Sequence, residues 1–416
     1  MARPGGVAGT YVRWTGLRAL LHRGYVLVSN LYFVLVGRLT AADLLLLGTV
    51  VAAAMVVSDL PAGVWSDARS RRWTLVAGHA LLAVAMTMTG LVTSLPAIVV
   101  TQVLWGCGWA LMSGADVAWV TDELTGELAD DLSNDLAGDM SGEPAGGLTG
   151  ACSSPSSGPD AVARVLAGAA RWELLGGAAG TVAFGLLAWI AGLAAAIVVS
   201  GAGMALLAVH VAARFTERHF TPASHRRWSI LRRGVTLARR DREIRLMLAA
   251  TMLLNGAAVV SWLFPQRLIT LGLPADPALW YTALVVCASG AGVVALRVAQ
   301  PRLGGGVRGL YAGSCLLGVL GLAVLAGAPE AVSGAAGVLL VNGVAFTLTR
   351  AVSVIWVNRR VTGDVRATVH SLLSQAETAG KVAGGFALAA LAVTAGPSRS
   401  SSMRAYRLCR RGSSLG

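Results

Sequence analysis

Eleven stretches of mostly apolar residues, each about long enough to cross a bilayer as a helix, follow one another through this 416-residue chain. They lie near Leu20 to Val36, Leu44 to Val64, Trp73 to Val92, Ile98 to Val120, Ala161 to Phe184, Leu186 to Val209, Ile244 to Ile269, Leu279 to Val298, Leu310 to Ala326, Ala331 to Val357 and Val369 to Val393. A helix needs ~20 such residues to span the hydrocarbon core. With 55% hydrophobic and only 13% charged residues, the chain is too apolar for a water-soluble domain of this length. Lipid satisfies no backbone hydrogen bonds, so the crossing segments must be helices or a closed barrel. Runs such as Leu316 to Leu325 lack the alternation of a barrel strand. The expected fold class is therefore all-α and polytopic, with the lipid bilayer as its first partner.

A net charge of +13 raises the possibility of nucleic acid, but nearly all the basic residues are Arg in the connections between apolar runs, where the positive-inside rule accounts for them. No nucleic-acid partner is expected. The clusters follow the second stretch (Arg69, Arg71, Arg72), the sixth (Arg226, Arg227, Arg232, Arg233, Arg239, Arg240), the eighth (Arg302, Arg308) and the tenth (Arg359, Arg360, Arg366). Even-numbered connections are thus cytoplasmic, and so is the N-terminus. Arg13, Arg18 and Arg23 precede the first stretch, and no small-residue cleavage site follows it, so no removable signal peptide is expected. Cys107, Cys152, Cys287, Cys315 and Cys409 show no C-x-x-C spacing, and His79 and His210 stand alone. The cysteines read as small core residues rather than disulfides or metal ligands, and the histidines as incidental. Without a Walker loop, a nucleotide fingerprint or HExxH, no cofactor, metal or enzymatic activity is expected.

The basic segment from Arg214 to Arg245 divides the chain into six spans and five. The expected organisation is a first bundle over 1–210, a basic cytoplasmic loop over 211–243, a second bundle over 244–396 and an atypical basic tail over 397–416. This spacing suggests a six-plus-six plan in which the twelfth span is missing, lost by a frameshift after about Gly396. Within the first bundle, 124–160 is rich in Gly, Ser, Pro and Asp without a basic residue, the composition of a disordered acidic insertion.

At the end of the second stretch stand Gly63, Asp67, Arg69, Arg71 and Arg72. This loop resembles the signature of the major facilitator superfamily. A Gly there lets helices approach, and an Asp facing Arg can latch two halves in one state and release them in another. Ser113 to Glu123 and Asn358 to Gly385 resemble actinobacterial members usually described as drug or metabolite efflux proteins. The resemblance runs from about Leu17 to Val393, apart from the acidic insertion. It implies a two-bundle, monomeric secondary transporter of the bacterial plasma (inner) membrane, moving a small solute by alternating access, most simply as proton-coupled efflux. An uptake facilitator for a sugar, amino acid or organic anion shares every coarse feature, and a truncated, inactive transporter is the reading that the missing span suggests.

Ionisable groups inside spans are candidate site residues, because a charge at mid-bilayer costs at least ~2.5 to 3.5 kcal/mol on insertion scales. Asp116 is the leading proton-coupling candidate, since a carboxyl packed away from water can exchange protons; Glu173 and Asp59 follow. Asp59 can equally support the nearby latch loop, and Arg171 and Glu173 can pair with Asp116 or Asp122 as a structural lock. Glu377 and Lys381, spaced i, i+4, are expected to form an intramembrane charge pair, while Arg350 can snorkel. Asn30, Tyr32, Trp109, Trp119, Asn255, Trp262 and Asn342 are candidates for lining a central cavity, with helix packing or interfacial anchoring as the alternative for each.

Overall fold

The computed structural model describes residues 6–141, 158–220, 236, 240–303, 307–360 and 366–394. Among them there is no strand. The first half comprises α1 (Val7–Leu35), α2 (Ala41–Ala68), α3 (Arg71–Leu91), α4 (Leu95–Met112), α5 (Ala115–Ser141), α6 (Gly158–Ala191) and α7 (Leu193–Arg214). The second comprises α8 (Arg242–Ala258), α9 (Phe264–Thr270), α10 (Pro277–Ala299), α11 (Val307–Gly327), α12 (Ala331–Val338), α13 (Phe346–Arg360) and α14 (Arg366–Thr394). Helix starts are written locally. Thr40 and Asp43 form a reciprocal capping box on α2, while Ser70 caps α3 and Asp241 caps α8.

Among the described residues, nine helical segments are long and apolar enough to cross a membrane. α1 and α14 fall outside that set, yet both pack along the bundle. They carry ionisable residues along their length, Arg18, His22 and Arg23 on α1 and Glu377 and Lys381 on α14, and tertiary packing holds them where hydropathy alone would not.

Several expected boundaries move. The first helix begins at Val7 rather than Leu20, which places Arg18 well inside it. The fourth span is broken at Ser113–Gly114, where Gly114 takes φ +82° and the chain restarts as α5. The fifth span runs on to Ala191, and Gly192 at φ +88° makes the turn to the sixth. The seventh passes through a 3-10 segment at Val259–Leu263 and the tenth through a π segment at Leu339–Ala345. The acidic stretch read as disordered from Leu124 is helical as far as Ser141; Leu124, Leu128, Leu132 and Leu136 recur at a helical spacing that composition alone conceals. Residues 142–157, most of the basic loop over 211–243 and all of the tail over 397–416 lie outside the described residues.

The two halves repeat one crossing. On α6, a Cβ added to Gly176 or Gly180 would meet the backbone carbonyl of Gly16 or Leu20 on α1 at 2.1 Å. On α14, a Cβ at Gly380 would meet the Met252 carbonyl on α8 at 2.1 Å, and one at Gly384 would meet Gly256 at 2.4 Å. First and fifth helices thus cross backbone to backbone in both halves, as small-residue pairs four apart allow.

Contacts between the halves gather at the end away from Arg71. Gly48 lies against Trp262, Thr49 against Gly385 and Gly185 against Thr282. Toward the Arg71 end the outer turns of α2 stand open, with Val57, Val64 and Trp65 72%, 62% and 53% exposed. Nothing lies within 4 Å of where a Gly63 Cβ would be.

Candidate functional site

One face of α1 presents Tyr11, Trp14, Arg18, His22 and Tyr25, spaced three or four apart so that they form a single stripe. α4 brings Gln102, Trp105 and Trp109 against it, and the break at Gly114 delivers Asp116 in the first turn of α5. There Asp116 Oδ1 accepts from the backbone N–H of Val117 at 2.8 Å and Oδ2 accepts from Arg18 Nη1 at 3.3 Å. Both side chains are nearly buried, 11% exposed for Arg18 and 10% for Asp116. The guanidinium also lies over the ring of Trp14 at 4.7 Å and near that of Trp109 at 5.8 Å, a cation–π arrangement. Eleven residues of helix, about 16 Å, separate Arg18 from the start of α1, and two residues separate Asp116 from Ala118, whose carbonyl accepts from Arg71.

Behind the pair, Trp14 donates Nε1–H to His79 Nε2 at 3.2 Å, and His79 Nδ1 lies 2.7 Å from the Leu75 carbonyl. The backbone contact assigns the proton to Nδ1 and leaves Nε2 as acceptor. Further along α1, the ring of His22 stacks on Trp109 at 4.3 Å and on Trp105 at 5.5 Å. His22 Nε2 and Trp105 Nε1 are buried there without a hydrogen-bond partner. Gln102 donates to the Tyr25 hydroxyl at 2.8 Å, which itself meets Thr89 at 3.2 Å.

The Arg-rich loop forms a second polar centre. Arg71 ion-pairs with Asp122 and, at 3.9 Å, with Asp67. The Glu217 carboxylate accepts from the Ser70 hydroxyl and from the Arg71 amide at 2.7 Å, and Arg72 donates to the Ala212 carbonyl. Arg69 lies near the Trp65 ring. Glu123 accepts from the amides of Arg218 and His219 at 2.8 and 3.0 Å, and His219 Nε2 lies 3.0 Å from Asp130 Oδ2. Hydrogen bonding to Asp130, with Glu123 close by, raises the pKa of His219 above the ordinary imidazole value. These contacts join α3, α5 and the end of α7, all in the first half. In this structure, open at the Arg71 end, the loop's contacts lie within one bundle, and a latch between the halves belongs to the other state.

Other expected site residues fall elsewhere. Tyr32 is 2% exposed, its hydroxyl donating to the Val92 carbonyl at 3.1 Å, and Trp119 is also 2% exposed, donating to the Thr216 carbonyl at 2.9 Å and stacking on Phe215. Both therefore serve packing rather than an open cavity. Arg171 and Glu173 are exposed on α6 and do not supply the partners of Asp116 and Asp122, which are Arg18 and Arg71. Asp59 is exposed on the open part of α2, and Asn30 is half-buried on α1. Asn255 is half-buried and donates to the Thr251 carbonyl of its own helix, Trp262 sits at the contact between the halves, and Asn342 lies on the π segment. Glu377 and Lys381 are half-buried one turn apart on α14, with no ion pair of 4.0 Å or less joining them among the described residues. Sequence reasoning missed Arg18 because the first helix was started too late, and it missed His79, whose only signal is a histidine in mid-span.

No protein-family model matches the chain, and no curated protein matches it. Solved structures do. A mutant of the nucleoside transporter NupG superposes with a TM-score of 0.71 at 13% identity, over 92% of this chain and 91% of that one. The fold is of the major facilitator type. A bacterial homologue of the human lysosomal transporter Spinster, in an inward-facing and unoccupied conformation, gives 0.64 at 14% identity over 91% and 80% of the two chains. A D-xylose-proton symporter gives 0.56 at 16% over 91% and 87%. In a major facilitator fold the region between the bundles near the bilayer midplane is where solute sites are built.

Proposed function

We propose that this chain is a proton-coupled secondary transporter of a small solute, working by alternating access of its two bundles, with Asp116 as the proton-carrying group. The observation that carries the reading is the nearly buried Arg18–Asp116 ion pair joining two different spans. Removing one partner of such a pair leaves the other as an uncompensated charge, at a cost of roughly 3 to 5 kcal/mol. Parting two intact charges strands both, whereas neutralising one member leaves a single charge for a solute to meet. Asp116 can take a proton; Arg18 cannot release one.

The open Arg71 end and the closed opposite end support an inward-open state, with the N-terminus and the Arg clusters cytoplasmic in a bacterial plasma membrane. The sign of coupling follows from solute charge. A solute that competes with the proton for Asp116 gives exchange, hence the efflux implied by the resemblance, and a solute that frees Asp116 gives co-transport.

The test uses the purified chain in proteoliposomes with an internal pH dye and a panel of cationic drugs, aromatic acids, sugars and amino acids. The expected outcome is a solute-dependent proton flux that Asp116→Asn abolishes without unfolding the protein. Undiminished coupling in that variant would overturn the assignment of the proton carrier.

A further inference from the structure

We infer that the solute is a small organic anion with a planar aromatic body, bound through its acidic group to Arg18 and carried together with a proton on Asp116. The inference rests on the transporter reading above and adds the solute class and the sign of coupling. It starts from unused hydrogen-bonding capacity. A guanidinium has five N–H donors. Arg18 spends one of them on the protein, through Nη1 to Asp116. Its Nε and Nη2 have no partner among the described residues, and neither is closed off from water as the orphaned nitrogens of Arg71 and Arg72 are. Both oxygens of Asp116 are already engaged, by Val117 and Arg18. The open capacity of the site is therefore donor capacity, which suits a carboxylate or another planar anion taken by two N–H groups.

Charge compensation points the same way. An entering anion pairs with Arg18 and strips Asp116 of its counter-ion, and a proton then neutralises Asp116, so no charge is left alone. An entering cation would pair with Asp116 and strand Arg18, whose charge no proton exchange can remove. The other ionisable groups around the pair are Glu173, exposed on α6, Tyr11 and His22 on α1 and His79 on α3; none is a second permanent cation, so this asymmetry stands. One anion and one proton load together, which makes the coupling co-transport.

The aromatic body follows from the walls. Trp105 and Trp109 lie nearly parallel, 8° apart, with His22 stacked on both. His22 Nε2 and Trp105 Nε1 lack partners beside them, and a ring bearing a polar edge would satisfy both while its acidic group meets Arg18.

The experiment is calorimetric titration of the purified full chain with 4-hydroxybenzoate, tyramine and 4-hydroxybenzyl alcohol, which share a ring and differ in charge. Each titration is run in two buffers of different ionisation enthalpy, to read protons taken up. The expected result is binding of 4-hydroxybenzoate with uptake approaching about one proton per solute, and no comparable binding of the other two. Asp116→Asn should bind 4-hydroxybenzoate at least as tightly with no proton uptake, and Arg18→Gln should weaken it by about tenfold or more. The wild-type proton uptake decides even if a variant fails to fold. Tyramine binding that Asp116→Asn abolishes, equal binding of the neutral alcohol, or no binding by folded protein each overturns the inference and leaves the transporter reading intact. If 4-hydroxybenzoate binds as expected but proteoliposomes show no flux, the transporter reading falls and the anion site stands.

Discussion

Trp14 is wholly buried, and its indole N–H has one acceptor, the Nε2 of His79. An unsatisfied donor at such a place costs about 1 to 3 kcal/mol. His79→Phe should therefore lower the thermal unfolding midpoint of the purified protein, while His79→Gln, which can still accept, should lower it less. At the membrane surface, His219 bonds Asp130 and lies beside Glu123, and its raised pKa sets the sign of a pH effect. A folded-state pKa above the unfolded one gives stability that is complete below ~pH 6.5 and is lost as pH rises through the raised value. The unfolding midpoint of the wild type should thus fall more steeply than that of His219→Gln as pH rises from about 6 to 9. Parallel curves would show that the imidazole contributes no such linkage.

Elements in this protein are held by close backbone approach as much as by side chains. A Cβ at Gly180 would come 2.1 Å from the Leu20 carbonyl, a rigid backbone atom, whereas one at Gly63 would meet nothing within 4 Å. Gly180→Ala should cost about 1 to 3 kcal/mol or more by forcing α1 and α6 apart, and Gly63→Ala should change stability by less than about 0.5 kcal/mol. Unfolding midpoints of the two variants check the contrast. If Gly63→Ala slows transport while stability holds, that glycine is needed in the state closed at the Arg71 end. The halves also differ in cover: the apolar window of α3 is 56% buried, largely under α7, but that of α11 only 17%. Among the described residues no helix lies on α11 as α7 lies on α3, which leaves Leu316, Val319 and Leu320 exposed.

At the scale of the molecule, the halves touch at one end and part at the other, and alternating access requires that contact to break. The ideal Cβ of Gly185 falls 2.9 Å from the Cβ of Thr282 across the closed end, inside the ~3.5 to 4.5 Å that a disulfide needs, so a cross-link there forms once α6 and α10 ease apart by about 1 Å. The double variant Gly185→Cys, Thr282→Cys should lose solute flux in proteoliposomes on oxidation and regain it on reduction, with binding from the open side retained throughout. Full flux in the oxidised form would show that this end need not open.

Hydropathy and charge placement are properties of single segments, so the sequence alone determined the all-helical, many-span membrane fold. Pairing is a property of two segments. That Arg18 rather than Arg171 faces Asp116, 98 residues away, depends on the rotation of α1, the break at Gly114 and the crossing angle of the helices. No window over a single stretch contains those quantities. Tyr32 and Trp119 illustrate the same limit: each has the chemistry of a cavity residue, but each is turned inward by the helix it belongs to. Tertiary packing also decides how an ionisable residue inside a span is sheltered: Arg18 and Asp116 compensate each other across two helices, which neither segment alone provides.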